Sequence, residues 1–453
     1  MSNFANVECV EVANPETVLR HQSDPLARIL RQLGVIILIA SRLESISKMS
    51  SHEPYPRLRV AIVGAGPGGL ATAIALSKID DVDVGAGISI GQNTWNVLSL
   101  LGIGDELKGH PTLTKQYSVL TSGRNGKTGE EVHRLDKSCN LERPPIRTQR
   151  TELQRLLRSK VSDDVLRLGR KVITLEDLDD AGIRLVFDDG SSVVADLVVG
   201  ADGIRSAVRD SVWKDYSLSF TGTTIWRVLL PWDAVKDLDP RFETTAWWHG
   251  PTTHVYFSPV GEGLWEIAAR AASKVTWGTP IDNATVEANF VVSAMAYSSI
   301  IQAVLTLSGI SPPSAWREFA AFSGPELDDL TNWNDKVVLV GDSSHALSGA
   351  FGSGAGFAME DGYVLAQALK HSRNDVHRAL PLFNKVRLPY YTRMYAHLQG
   401  EATKRALNLR GFTHPSYDEK VRNKVIKAGG TDMRWIYEND ISKVWQDSIA
   451  TTA

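Results

Sequence analysis

The hydrophobic pattern changes character at Leu58. Before it stands one short apolar run, Val35 to Ala40 with Leu33 and Gly34 ahead of it, flanked by Arg28, Arg31 and Arg42 and closed by Ser50, Ser51, Pro54 and Pro56. Residues 1–56 therefore read as an extension, loosely ordered or carrying one helix, and Met49 is a candidate start of the working chain. From Leu58 a buried-type run, Val60-Ala61-Ile62-Val63, passes into glycines and then into Leu70, Ala73, Ile74 and Ser77 at helical spacing. Such a change of period predicts strand, tight turn and helix. The layout recurs twice: Asp196 to Val199 runs into Gly200-Ala201-Asp202-Gly203, and Val337 to Val340 runs into Gly341-Asp342 before another helix. Between them, from about Phe220 to Phe322, Trp, Tyr and Thr alternate with Gly and Pro. That stretch predicts mainly antiparallel sheet with one helical segment, a second domain inserted into the first. Helical character returns from Arg373 to Gly400 around Pro381 and Pro389, and 401–453 is a polar tail.

Composition narrows the class. The chain has 453 residues, 43% of them hydrophobic and 22% charged, and its 49 Lys+Arg against 52 Asp+Glu leave a net charge of -3. A length of this order suggests about three domains or two large ones. Near-neutral charge without basic blocks argues against nucleic acid or an anionic membrane surface as the main partner. The two cysteines, Cys9 and Cys139, exclude a disulfide framework and a zinc site by count, so no metal is expected. No apolar run approaches the roughly 20 residues of a membrane helix. The apolar run also starts too late for a secretory signal, and the expectation is an intracellular, cytoplasmic protein.

The glycine motifs carry the chemistry. Gly64-Ala65-Gly66-Pro67-Gly68-Gly69 is a G-x-G-x-x-G set between a predicted strand and helix, the context that dinucleotide binding requires. Gly64 permits the sharp turn, Gly66 lets backbone approach a pyrophosphate, and Gly69 lets helix and strand pack closely. The second motif, Gly200-Ala201-Asp202-Gly203-Ile204-Arg205-Ser206, offers an aspartate at a strand end, which serves a ribose or a helix N-cap equally well. The third, Gly341-Asp342-Ser343-Ser344-His345, continues through Gly349, Gly352, Gly354 and Gly356 and predicts a backbone cradle for a flat ligand or an anion.

In this order, Gly64 to Gly69, Gly200 to Arg209 and Gly341 to Asp361 resemble the fingerprints of the FAD-dependent aromatic hydroxylases of the p-hydroxybenzoate hydroxylase fold. The nearest flavour is that of fungal salicylate-hydroxylase-like monooxygenases. The resemblance runs from Leu58 to about Gly400 and takes in Ile146-Arg147-Thr148-Gln149-Arg150, Trp226-Arg227, Trp247-Trp248-His249-Gly250, and Arg387 with Pro389. It implies an α/β architecture: a discontinuous Rossmann-type FAD-binding domain (57–113, 147–222, 326–400), a substrate-side segment (114–146), an inserted antiparallel sheet domain (223–325) and C-terminal helices. It also implies FAD as cofactor and NAD(P)H and O2 as co-substrates. A phenolic or aromatic small molecule would be hydroxylated, decarboxylated or dearomatised through a flavin C4a-hydroperoxide, in secondary metabolism or aromatic degradation. By the same resemblance the first motif holds the pyrophosphate, Arg150 lies over the flavin chain, Asp202 and Gly203 contribute flavin and nicotinamide contacts, and Asp342 binds the ribityl hydroxyls. Gly352, Gly354, Ala355 and Gly356 cradle the isoalloxazine edge.

No protein nucleophile is needed for that chemistry, and the catalytic candidates are side chains of the sheet domain: Arg227, His249 and Tyr256, for orientation or proton handling. For His249, a histidine satisfied within the sheet is the commoner arrangement. The tryptophans serve either an aromatic pocket or the sheet core. One departure stands out. A Rossmann unit carries an acid at the end of its second strand, roughly 20 residues beyond the glycines, to hold the adenosine ribose. Here Asp80-Asp81-Val82-Asp83-Val84 runs straight into Gly85-Ala86-Gly87, as after a deletion, with Asp83 a weak substitute. Smaller departures are Ala346 after His345 and Ser348-Gly349, where relatives carry prolines. Two other readings stay open: an FAD or NAD oxidoreductase that inserts no oxygen, and a catalytically impaired remnant lacking the ribose-binding segment.

Overall fold

The computed structural model describes residues 35–41, 58–76, 87–111, 119–136, 143–161, 165–272, 317–409, 416–429 and 433–450. The junction after Val84, Met49, and the helical segment expected before Phe322 lie outside the described residues.

The nucleotide-type sheet is assembled from distant pieces of chain. Leu58–Val63 is its hub, pairing parallel with Leu197–Gly200, which pairs parallel with Val337–Leu339. All three are short and buried, as strands covered on both faces must be. Register places Val63 opposite Gly200 and Gly200 opposite Leu339. Their carboxyl ends, and so all three glycine motifs, therefore open on one edge. Chain crossings lock that edge, Ala201 N–H donating to Val63 O (2.8 Å) and Val340 N–H to Gly200 O (2.9 Å). Helices Pro67–Leu76 and Gly354–His371 pack against each other over the sheet.

On the other side of Leu58–Val63 the structure departs from expectation. Val35–Ser41, placed by the sequence in a loose or helical extension, is a strand of this sheet. It runs antiparallel to Leu58–Val63, with Ile36 opposite Val63 and Ser41 opposite Leu58, and antiparallel to Leu166–Leu168 on its far side. The physical reason is its composition: Val-Ile-Ile-Leu-Ile is rich in β-branched residues, which favour strand over helix. It lies next to the hub strand of the glycine motif, where a second Rossmann strand would otherwise pair. Because it enters from the opposite end, its amino end reaches the edge where the glycines open, and no acid occurs within it.

The inserted domain is a seven-stranded sheet, ordered Arg317–Ser323, Ser219–Pro231, Leu264–Ala272, His254–Gly261, Ala246–His249, Val119–Asn125 and Glu131–Asp136. Alternation sorts its faces. Trp226, Val228, Trp248, Phe257, Trp265 and Ile267 form one buried apolar cluster, so those tryptophans are core. The opposite face carries the polar set Arg227, His249, His254, Tyr256, Glu266 and Arg270. Downstream, Val376–Leu409 is one helix containing both Pro381 and Pro389. The tail, which the sequence left unplaced, supplies the helices Tyr417–Gly429 and Ile441–Ala450.

Candidate active site

The first glycine turn is shaped by what surrounds it. Gly64 has φ +111°, and a Cβ there would lie 2.3 Å from Ala201 O; a Cβ on Gly69 would lie 2.0 Å from Gly64 O. Both positions exclude a side chain. A Cβ on Gly66 would meet nothing within 4 Å, so at this point the backbone faces open space. Helix Pro67–Leu76 begins here, Leu70 N–H donating to Gly66 O (3.0 Å), while Gln154 Nε2 donates to Ala65 O (2.8 Å) and fixes the turn from the side. First-turn N–H groups without intrahelical acceptors, together with the positive end of the helix dipole, suit a pyrophosphate.

Asp202 lies where the second motif crosses this edge. Its carboxylate accepts from Ser206 Oγ (2.5 Å) and Val208 N–H (3.2 Å), so it supports the start of the next helix, but the N-cap itself, the position the sequence offered to Asp202, is Ser206. Burial raises its carboxyl and these bonds oppose the rise. Ser206 itself caps the helix Ala207–Val212. Arg209 then ties the motifs together, donating to Ser343 O (3.2 Å) and to Ile204 O (3.0 Å).

In the third motif, Asp342 faces the cleft and remains open to solvent. Surrounding protein raises its carboxyl and the Arg150 charge pulls it back. Arg150 is the first residue of helix Arg150–Arg158. Gly352 has φ +67° with open space beside it, and a Cβ on Gly354 would lie 3.6 Å from Asp342 Oδ1. Ala355, on the first turn of the same helix, is part-exposed. Gly356 serves packing instead: a Cβ there would meet Thr94 Oγ1 at 2.4 Å.

Behind this loop stands an ionic cluster to which the sequence assigned no role. Arg387, buried, reaches Asp361 (2.6 Å) and Glu360 (3.1 Å). Asp361 also accepts from Gly341 N–H (2.8 Å) and from Tyr391 Oη (2.7 Å). The ring of Tyr391 stacks on His345 at 3.8 Å. Burial lowers the His345 imidazole to about 4, so it is neutral, with Nδ1 paired to Ser344 Oγ (2.7 Å). The adjacent Glu360-Asp361 pair inside an otherwise apolar helix was the available signal, since buried acids require a cationic partner.

Arg227, His249 and Tyr256 share the polar face of the sheet but not one site. Arg227 donates to Glu266 Oε1 (3.4 Å). Glu266 is buried, takes Gly87 N–H (3.2 Å), and also pairs closely with Arg147, so it joins the sheet domain to the strands Gly87–Ile90 and Ile146–Gln149. Tyr256 packs on Trp247 (4.5 Å) with the Arg147 guanidinium 5.3 Å from its ring. His249 lies farther along, 5.9 Å from His254. Burial and nearby Lys424 lower it to about 3. Lys424 bonds the hairpin carbonyls of Gly250 (3.0 Å) and Thr253 (2.7 Å). A cavity of about 470 Å³ opens between this sheet and the loop Ala346–Ala350, and none of Arg227, His249 and Tyr256 lines it.

A family model described as FAD binding domain matches residues 57–380, which spans all three glycine motifs. The chain belongs to the FAD-dependent aromatic hydroxylase family. Relatives of this hydroxylase include a 6-methylsalicylate 1-monooxygenase of Aspergillus terreus, 28% identical over 428 residues, covering 87% of this chain and 92% of the relative. A 3-amino-4-hydroxybenzoate 2-monooxygenase of Streptomyces platensis is 30% identical over 364 residues, covering 76% and 86%. The fold agrees with that of a salicylate hydroxylase solved as a substrate complex, TM-score 0.66 at 23% identity over 86% of this chain and 98% of that one. The flavin hydroxylase residues described above fit FAD: an open backbone at Gly66 for phosphates, and Asp342 with Arg150 for polar hydroxyls and charge.

Proposed function

We propose that the chain uses NAD(P)H and O2 to hydroxylate a phenolic aromatic acid, the balance being aromatic C–H + O2 + NAD(P)H + H⁺ giving C–OH + H2O + NAD(P)⁺. The observation that carries this reading is the convergence of the three glycine motifs on one sheet edge, next to an open cavity of about 470 Å³, a size that suits a small aromatic molecule. In this reading Gly64, Gly66 and Gly69 form the pyrophosphate turn. Arg150, Gly203 and Asp342 hold the middle of the cofactor, and Gly352, Gly354 and Ala355 border its ring. Asp202 acts mainly by supporting the helix that Ser206 caps. FAD, when bound, supplies electron transfer from the nicotinamide and activation of oxygen. The protein supplies orientation and exclusion of water. Arg227 and Tyr256 hold the sheet against the strands Gly87–Ile90 and Ile146–Gln149 through Glu266 and Arg147. His249 is neutral and packs beneath the Ala246–Gly261 hairpin.

Relatives acting on salicylates and hydroxybenzoates support an aromatic acid as substrate. Among the described residues no helix is long and apolar enough to cross a membrane. The test is direct. Purified full-length protein should absorb as an oxidised flavoprotein, and aromatic acids should accelerate NAD(P)H oxidation with label from ¹⁸O2 entering the product. Accelerated oxidation of NAD(P)H without label would assign an oxidoreductase that inserts no oxygen. A colourless protein that FAD cannot reconstitute would identify a remnant.

A further inference from the structure

We infer that Tyr437, in the C-terminal segment, is a positioning residue of the cofactor site: its hydroxyl fixes the glycine loop that borders the flavin ring. The inference rests on the flavin reading above and deepens it. Ser348, Gly349 and Gly352 of that loop have φ of +55°, +68° and +67°. A Cβ on Gly349 or on Gly352 would meet nothing within 4 Å. No wall fixes the backbone here, in contrast to Gly64, and a glycine in open space is free to take other conformations. Hydrogen bonds must therefore set the loop. The peptide between Phe351 and Gly352 is held at both ends: Gly352 N–H donates to Gly349 O (3.2 Å), and Tyr437 Oη donates to Phe351 O (3.0 Å). The second bond reaches the loop from 86 residues away. Gly352 leads through Ser353 into the helix Gly354–His371, so the orientation of this peptide passes directly to the backbone assigned to the ring.

Tyr437 is itself anchored. It ends the short turn Arg434–Tyr437, whose Ile436 is fully buried in the core. Trp435 of the same turn packs edge-on against Tyr390 (5.6 Å), with the Arg393 guanidinium 4.0 Å from its ring. Burial raises the Tyr437 hydroxyl above its ordinary value, which keeps it protonated and able to donate. Asn439, two residues on, adds a second tie: its Nδ2 donates to Glu360 Oε1 (3.1 Å), and its carbonyl accepts from Asn96 Nδ2 (3.0 Å). Glu360 belongs to the helix Gly354–His371. One anchored segment thus grips both the loop and the helix that follows it, which is how a second layer of residues holds a binding site in its productive geometry.

The experiment strips full-length protein of flavin and titrates it by calorimetry with FAD and, separately, with ADP, which shares the pyrophosphate and adenosine but has no flavin ring. Tyr437→Phe keeps the aromatic side chain and removes the donor. It should raise the Kd for FAD about three- to tenfold, the scale of one neutral hydrogen bond, and leave that for ADP within about twofold. Equal weakening of FAD and ADP assigns Tyr437 to general stability and overturns the inference, as does an unchanged Kd for FAD. Should Tyr437→Phe fold too poorly to titrate, hydrogen exchange of the wild-type protein decides. FAD should slow exchange in both 349–353 and 434–438, and ADP in neither; protection of 349–353 alone, or of both by ADP, overturns the coupling. Wild-type protein that does not take FAD sinks the flavin reading and this inference with it, whereas FAD binding that Tyr437→Phe leaves intact sinks the role of Tyr437 alone.

Discussion

At the scale of single residues, two glycines separated by one alanine, Gly64 and Gly66, should behave oppositely. Gly64 sits at φ +111° against Ala201 O, whereas a Cβ on Gly66 has free space. Gly64→Ala adds backbone strain and a clash, and should lower the melting temperature of the apoprotein and reduce soluble yield, with a cost of roughly 1–3 kcal/mol. Gly66→Ala should leave that temperature unchanged and still cut the flavin-to-protein absorbance ratio, because the methyl group would enter the open space proposed for the pyrophosphate. Equal flavin content in Gly66→Ala and wild type would contradict the pyrophosphate assignment. The roles of Gly64 and Gly69 were legible in the sequence, since G-x-G-x-x-G between strand and helix has one geometric solution. The lining of the cavity was not legible, because it depends on which face of a strand packs on the core and on a loop about 80 residues away.

At the scale of elements, the strand Val35–Ser41 carries the most consequence. It pairs with Leu58–Val63 on one side and Leu166–Leu168 on the other. A chain begun at Met49 would leave both of those strands with open edges inside the sheet, a state that promotes misfolding and aggregation. We expect that shortened chain to be poorly soluble, to melt at lower temperature and to lose flavin, as measured by yield, thermal denaturation and absorbance. A shortened chain with wild-type melting and flavin content would show the strand to be dispensable. The three parallel strands and the inserted sheet could be read from short apolar runs followed by glycine and from period-two alternation. This strand could not. A short apolar run with arginines around it has the same local pattern whether it forms a helix turn or a strand, and its pairing partner lay beyond the range of local sequence. The ionic cluster of Glu360, Asp361 and Arg387 escaped for a related reason: its members lie on two helices, and only packing brings them together.

For the whole molecule, buried histidines set the response to acid. His345 is fully enclosed and its imidazole lies at about 4, below its ordinary value of 6.5; His249 lies at about 3. Unfolded chains therefore bind protons at these sites before folded ones do. The contribution of these histidines to stability is complete above about pH 6.5 and is lost as pH falls toward about 4, while Glu360, raised by burial to about 7, contributes in the opposite sense. His345 alone contributes a loss on the order of 3 kcal/mol across that window. Urea denaturation between pH 7.5 and pH 4.5, about the span of this effect, should show the wild type losing more stability, or gaining less, than His345→Asn; parallel slopes in the two proteins would rule out His345 as a source. The reversed strand reaches further than stability. Were a transcript to add a further strand after Val84, its product would bring a second occupant for a berth already taken, and one of the two would have to stay outside. Alternative messages from one locus would then differ in which end of the polypeptide closes the coenzyme half, and with it in how adenosine is held.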